Sequence, residues 1–380
     1  MNIGILKEQE PERRVALLPE LIKDFIDKHQ VDILIEKDAG KGSYISDEMF
    51  EEAGAKIVER SDIFSNADVI GALSGPDEQE LSELKEGQVL LSTFQPLSHQ
   101  SYVEQLLENK VTSFSLDNIP RTSRAQSMDV LSSQATLAGY KAVIEAANYL
   151  PVFFPMFMTA AGTIKPAKVM VLGAGVAGLQ AIATARRLGA VVSAFDVRSA
   201  VKEEVVSLGA KFIEVEGAKD DESAGGYAVV QSEEFQKRQM QVVQEHAVKS
   251  DVIIATAQIP GKKAPLLITK ETVNNMKQGS VIVDLAASSG GNCEVTQNDK
   301  IIHENDITII GESNFPATIP VSASYMFGKN FLNFLRLLIS AEHQLMINFD
   351  DDIIAGTCVT HQGELISERI KNVYQEELVK

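Results

Sequence analysis

Residues 169–196 constrain this chain more than any other stretch. Val169-Met170-Val171-Leu172 is apolar and β-prone, the composition of a strand buried on both faces. Gly173-Ala174-Gly175-Val176-Ala177-Gly178 follows as G-x-G-x-x-G. A helical pattern runs to Leu188, and a second strand, 191–195, ends at Asp196, about 20 residues past the first glycine. The glycines serve a tight turn, close backbone approach to a pyrophosphate, and close helix–strand packing. The helix directs its N-terminal N–H groups at that phosphate. A carboxylate at position 196 accepts both hydroxyls of an adenosine ribose. A lone G-x-G-x-x-G is a weak signal, because glycines also make ordinary turns. Here strand, glycines, helix, strand and acid stand in order. The stretch therefore reads as a dinucleotide site built from Gly173, Gly175, Val176, Gly178, Asp196, Val197 and Arg198. Asp196 favours NAD over NADP, since it repels a 2′-phosphate; Arg198 is the one feature pointing the other way.

A chain of 380 residues suggests two domains, and 44% hydrophobic content suffices for large cores. The formal charge of −18 argues against nucleic acid or an anionic membrane surface as a direct partner. Cys293 and Cys358 are far apart without C-x-x-C spacing, so neither a disulfide framework nor a zinc site is indicated and a reducing compartment fits. The six histidines show no metal-ligand spacing, and no metal is expected. The N-terminus enters a strand-like run directly, without a signal-peptide pattern. The apolar region 146–161 is broken by Pro151 and Pro155, too short and interrupted to span a bilayer.

Residues 2–117 alternate strands (2–6, 31–36, 69–73, 89–94, 111–116) with helical patterns such as 18–28 and 98–109. This is a second parallel-sheet domain, without a G-x-G-x-x-G of its own. Gly40-Lys41-Gly42 reads as a turn. The polar stretch 120–134 is either a linker or a site, and a helix over about 133–147 follows as an interdomain crossing. Phe153, Phe154, Met156, Phe157 and Met158 read as core or interface packing. From Lys168 six strands (169–172, 191–195, 211–215, 252–257, 281–285, 307–310) match a complete doubly wound fold. The insertion 216–231, with Gly225-Gly226-Tyr227, is a flap or a flexible surface loop. Phe327, Phe331, Phe334, Leu335 and Leu338 lie at helical spacing and read as a packed amphipathic helix. The tail after Asn348 is acidic and polar and carries no motif.

The N-terminal Lys7-Glu8-x-x-Pro11-Glu12-Arg13-Arg14-Val15-Ala16-Leu17-x-Pro19 resembles the family of alanine dehydrogenases and NAD(P) transhydrogenase alpha subunits. Arg124-Ala-Gln-Ser-Met-Asp-Val-Leu-Ser-Ser-Gln134, then Leu137-Ala138-Gly139-Tyr140, looks like the transhydrogenase branch. So do Ala160-Ala161-Gly162-Thr163, Ala224-Gly225-Gly226-Tyr227 and Gly290-Gly291-Asn292-Cys293. The resemblance runs from residue 1 to about 340. Where alanine dehydrogenases carry a substrate lysine, a catalytic histidine and a catalytic aspartate, this chain has Ser74, Gln95 and Ser288; of the substrate residues only Arg14 is kept. An amino-acid dehydrogenase must move a proton. Hydride exchange between two nicotinamide rings needs only positioning and exclusion of water.

The resemblance implies an α/β chain of two Rossmann-like domains with doubly wound parallel sheets, joined by interdomain helices, with the cofactor in the cleft between them. One domain would comprise 1–131 plus 325–380, the NAD(H)-binding domain 132–324. It implies the NAD(H)-binding component of a proton-translocating transhydrogenase, passing hydride from NADH to NADP⁺ on a partner subunit. Arg121, Gln126, Asp129 and Ser132 match the family's polar loop. Gln126 would contact the dihydronicotinamide, Arg121 and Asp129 would hold each other, and Ser132 would support them. From the residues alone, a hydrogen-bonded hinge explains these four equally well. Gly226 and Tyr227 would close over the nucleotide, and Ala257 and Gln258 would line the site. The implied partners are an NADP(H)-binding subunit, a membrane-spanning subunit and a second copy of the chain, with the complex on the cytoplasmic side of the inner membrane. An alanine-type dehydrogenase and a non-catalytic NADH-binding module stay open as alternatives.

Overall fold

The computed structural model describes residues 1–215, 233–259 and 261–378. The chain divides into two compact units, residues 1–134 with 317–380, and residues 135–316. The divisions fall inside the helix Val130–Tyr149 and inside the 3₁₀ turn Phe315–Thr318.

Numbering strands in chain order, the first unit holds β1 (Asn2–Ile5), β2 (Asp32–Glu36), β3 (Lys56–Val58), β4 (Val69–Gly71), β5 (Val89–Ser92) and β6 (Thr112–Ser115). It also holds the last two strands, β16 (Cys358–His361) and β17 (Glu364–Leu365). The sheet order is β17-β16-β6-β5-β4-β1-β2-β3, parallel from β3 to β6, with β16 antiparallel to β6. Strand alternation feeds two cores. Ile33, Ile35, Val89 and Leu91 enter one, with the helix Pro320–Leu335 and its Phe327, Phe331 and Phe334. Leu34, Ile70 and Leu90 enter the other. A sheet covered on both faces favours such strands, apolar at successive positions, while the equally buried β6, Thr-Ser-Phe-Ser, satisfies its hydroxyls by hydrogen bonds such as that of Ser113 with Thr360.

The second unit holds an exposed hairpin, β7 (Phe157–Thr159) and β8 (Gly162–Ile164), and the strands β9 (Lys168–Leu172), β10 (Val191–Phe195), β11 (Lys211–Phe212), β12 (Val252–Ala255), β13 (Val281–Asp284), β14 (Ile301–Glu304) and β15 (Ile307–Ile310). Its sheet runs β11-β10-β9-β12-β13-β15-β14, parallel except for β14. Val169, Val171, Ile254 and Val283 face one core; Met170, Leu172, Ile253 and Ile282 face the other. Both units are thus doubly wound α/β sheets of the Rossmann type.

Several expectations need correction. Of the aromatic and methionine run 153–158, only Phe154 is buried. Phe153, Met156, Phe157 and Met158 are exposed within the chain, on and just before a hairpin that stands off the core, so core packing is excluded for these four. β3 and β14 lie at sheet edges and carry polar residues, so they lack the buried-strand signature. β14 joins β15 through Asn305-Asp306, both at positive φ, a two-residue hairpin turn. The acidic and polar stretch after Asn348 carries regular elements up to residue 378. Asp351 caps the helix Asp352–Thr357 by accepting from the N–H groups of Ile353 and Ile354, and β16 then extends the sheet.

In the first unit the topological switch lies between β1 and β4, the neighbours from which the chain winds outward in opposite directions. Glu8, just past β1, crosses it: its carboxylate accepts from the N–H groups of Leu73 (2.6 Å) and Ser74 (3.3 Å) beyond β4. Burial pushes this carboxyl up to about 7; the two N–H groups and Arg14 oppose the shift and Glu12 adds to it. A carboxyl raised in the folded state binds an extra proton there between its ordinary 4.5 and about 7. Its contribution to stability is therefore fullest below the ordinary value and is lost as pH rises through about 7. Glu8→Gln should melt close to the parent at pH 5. At pH 8 it should be more stable by about 1–2 kcal/mol, a few degrees in Tm. Thermal denaturation at the two pH values checks this; a Tm difference that does not change with pH contradicts it.

Candidate functional site

The switch point of the second sheet lies between β9 and β12, the place where an open α/β sheet binds ligands beyond its carboxyl ends. Gly173 ends β9 at φ +94°, and its N–H donates to the carbonyl of Phe195 on β10. The helix Val176–Arg187 then begins hard against the strand. A Cβ on Gly178 would stand 1.9 Å from the carbonyl oxygen of Gly173, so only glycine permits this start. Thr256, just past β12, fixes the same turn by donating from its hydroxyl to the carbonyls of Leu172 (3.2 Å) and Gly173 (3.0 Å).

Gly175 caps the helix with no side-chain bond of its own. A Cβ built there meets nothing within 4 Å. The backbone thus opens onto space at the positive end of the helix dipole, the geometry a pyrophosphate requires. Val176, the first helical residue, is exposed. The residues present fit a dinucleotide.

Asp196 is buried at the end of β10. One carboxylate oxygen accepts from the backbone N–H of Ala174 (2.7 Å) and from Nη2 of Arg198 (2.7 Å). The other accepts from the backbone N–H (2.9 Å) and Nε (2.9 Å) of Arg198. The acid therefore ties β10 to the glycine turn as well as marking the strand end. Val197, between them, packs against the core under β12 and β13.

Ala257 and Gln258 follow β12. Ala257 is held on both backbone groups by Asn292: its N–H donates to Oδ1 (3.0 Å) and its carbonyl accepts from Nδ2 (2.8 Å). Asn292 also donates to the carbonyl of Pro265. Gln258 is exposed and donates to Oγ of Ser289 (3.0 Å). Asn292 is fully buried, and it is a positioning residue that reading the residues one by one misses. Its backbone N–H, with those of Cys293 and Ala286 and the hydroxyl of Thr296, donates to the buried carboxylate of Asp284. Burial raises Asp284 above the usual carboxylate range against those four donors. The available signal is a pair of glycines before a polar residue, Gly290-Gly291-Asn292. Gly226 and Tyr227 lie outside the described residues.

The loop residues Arg121, Gln126, Asp129 and Ser132 belong to the first unit. Asp129 accepts from both the backbone N–H (2.9 Å) and the hydroxyl (2.6 Å) of Ser132, capping the helix Val130–Tyr149 and starting it earlier than the sequence suggested. The carbonyl of Ser127 accepts from the side-chain amides of Asn330 and Asn333, and Ala125 and Met128 are buried in the core. Arg124 clasps Asp351 and Asp352. Arg121 and Gln126 stand exposed on this anchored loop. Arg14 points its guanidinium at Glu12 through Nε and Nη2 and at Gln134 through Nη1. Among the described residues no cluster of metal-ligating side chains occurs.

Two doubly wound sheets, one with a glycine turn and strand-end acid at its switch point, define a chain of the dinucleotide-fold class. Models of the N-terminal and C-terminal domains of alanine dehydrogenase/PNT match residues 4–138 and 142–368. The chain belongs to that alanine dehydrogenase/PNT family. It is 46% identical over 376 residues to the first part of NAD(P) transhydrogenase subunit alpha of Rhodospirillum rubrum, covering 96% of this chain and 98% of that protein. It is 45% identical to NAD(P) transhydrogenase subunit alpha of Haemophilus influenzae, covering 96% of this chain and 72% of that one. The crystal structure of transhydrogenase from Sinorhizobium meliloti superposes with a TM-score of 0.84 at 41% identity, over 97% of this chain and all of that chain.

The two glycines separate scaffold from site. Gly178→Ala should cost about 1–3 kcal/mol of stability, because the helix must move off the strand. Gly175→Ala should leave stability within about 1 kcal/mol of the parent and still weaken dinucleotide binding, because its Cβ fills the open space. Melting curves and NADH titration of both variants check this; a Gly175→Ala protein that binds NADH as the parent does would exclude a phosphate over that turn.

Proposed function

We propose that this chain is the NAD(H)-binding component of a proton-translocating NAD(P) transhydrogenase, passing hydride from NADH to NADP⁺ held on a partner subunit. The carrying observation is an exposed Gln126 on a loop fixed after it, by Asn330 and Asn333 at Ser127 and by Ser132 at Asp129, and before it by the clasp of Arg124 on Asp351 and Asp352, in a chain 46% identical to a transhydrogenase alpha subunit. Bound NADH supplies the hydride. The chain's residues supply position and the exclusion of water: the glycine turn Gly173 to Gly178 seats the pyrophosphate. Asp196, with Val197 and Arg198 beside it, selects the adenosine ribose. Ala257 and Gln258, held by Asn292 and Ser289, border the nicotinamide ribose. Gln126 orients the reduced ring, and Arg121, Asp129 and Ser132 keep Gln126 in place.

No step in this scheme moves a proton on the chain, and positioning alone is worth orders of magnitude in rate. The relatives from Rhodospirillum rubrum and Haemophilus influenzae are named as alpha subunits, which supports further subunits, one to hold NADP(H) and one to cross the membrane. A second copy of this chain completes the assembly. No helix among the described residues is long and apolar enough to cross a membrane. The complex would present this component on the cytoplasmic side of the inner membrane. Against an alanine-type dehydrogenase stand Ser74, Gln95 and Ser288, where that branch of the family carries its substrate lysine, catalytic histidine and catalytic aspartate.

The test is reconstitution of the purified chain with NADH and the NADP(H)-binding partner. Gln126→Asn should lower hydride transfer by about 10²-fold while changing NADH affinity only a few-fold. Parent-like transfer by Gln126→Asn would remove Gln126 from its role. NADH formation from alanine by the chain alone would favour the dehydrogenase. NADH binding with no transfer at all would leave a binding module.

A further inference from the structure

An ionised carboxylate has about four positions at which to accept a hydrogen bond. On Asp196 all four are taken by the chain itself. Two of the donors are backbone N–H groups, Ala174 and Arg198, and belong to the frame that joins the glycine turn to β10. The other two come from the Arg198 side chain, Nε at 2.9 Å on one oxygen and Nη2 at 2.7 Å on the other. This is the fork-on-fork arrangement by which a guanidinium grips a carboxylate. The Arg198 side chain is about a quarter exposed, whereas that of Asp196 is 5% exposed, so the guanidinium is the more accessible member of the pair.

The two hydroxyls of a ribose need two acceptor positions on this carboxylate. The backbone donors cannot yield theirs without opening the turn. We infer that the Arg198 guanidinium competes with the adenosine ribose for Asp196 and so sets both the affinity for NAD(H) and the discrimination against NADP(H). The inference rests on reading Asp196 as the ribose acceptor. When the ribose hydroxyls take the outer positions, the guanidinium has to leave the carboxylate. Discrimination follows from the same pair. With Arg198 across it the carboxylate is neutralised, and its repulsion of a 2′-phosphate is blunted. Without Arg198 the acid faces the ribose as a full negative charge.

The experiment is a double-mutant cycle on the full chain, read as dissociation constants for NADH and NADPH by titration, with melting temperatures as the control for folding. Arg198→Ala should bind NADH about five- to tenfold more tightly, since charge-assisted bonds no longer have to be broken first. The same variant should bind NADPH more weakly than the parent. Asp196→Asn should weaken NADH at least about tenfold, and Arg198→Ala added to it should give no further gain. Arg198→Lys keeps the charge but loses the fork, and should fall between the parent and Arg198→Ala for NADH. If Asp196→Asn weakens NADH but Arg198→Ala leaves it unchanged or weaker, the competition is refuted and the ribose reading stands. If Asp196→Asn binds NADH like the parent, the ribose reading itself is wrong and the competition falls with it. A gain from Arg198→Ala that persists in the Asp196→Asn background also refutes the competition, because Arg198 then acts elsewhere.

Discussion

The approach of Gly178 to the carbonyl of Gly173 decides what stands at the carboxyl end of the second sheet. It lets the helix Val176–Arg187 start within touching distance of β9, and that start places the N–H groups of its first turn at the switch point. The surrounding side chains maintain this contact. Thr256 holds the two carbonyls beneath it, and Asp196 pulls the N–H of Ala174 toward β10. A turn crossed by three such constraints is rigid before any ligand arrives, so little ordering entropy is left to oppose binding.

The first unit has the same winding and the opposite outcome at its switch point. Where the second sheet leaves space over Gly175, the first has Glu8 reaching across from β1 to the N–H groups beyond β4. Those N–H groups are the donors an anionic ligand would use, and the chain's own carboxylate occupies them. The contrast explains how two similar sheets in one chain can take different parts. The first unit's contribution is the anchored loop, whose carbonyl at Ser127 is tied to the helix Pro320–Leu335 by Asn330 and Asn333. That helix comes from the far end of the sequence, so the loop's position depends on residues 203 and 206 places away.

What the sequence makes legible follows from burial. Strands covered on both faces are favoured when apolar throughout, and β1, β2, β5, β9, β10, β12 and β13 announce themselves that way. The edge strands β3, β14 and β17 have no such obligation and read as polar connection. The hairpin that begins at Phe157–Thr159 is ambiguous for the converse reason: its apolar side chains have the composition of core while standing exposed in the single chain, which leaves only the interface half of the expectation. At the site, glycines and the strand-end acid are legible because backbone geometry restricts the residue type there. Asn292 is not, because its partners, Ala257 and Pro265, are distant in sequence. Nor is the grip of Arg198 on Asp196, since two residues of opposite charge two apart pair only if the backbone turns at that point.

Strongly shifted carboxyls often mark catalytic sites, and here they argue for a different division of labour. Glu8, Asp117 and Asp284 are all raised by burial. Glu8 caps the N–H groups of Leu73 and Ser74, Asp117 accepts from Ser115, and Asp284 gathers Ala286, Asn292, Cys293 and Thr296. Each is engaged by donors of its own chain and serves to pin a loop at a strand end. A protein whose proposed chemistry transfers hydride between two rings has no use for an acid or base at the reacting atoms, but it depends on loops that do not drift. These three raised carboxyls are placed accordingly, at strand ends where they pin loops, while the group proposed to orient the reduced ring, Gln126, carries no ionisable proton at all.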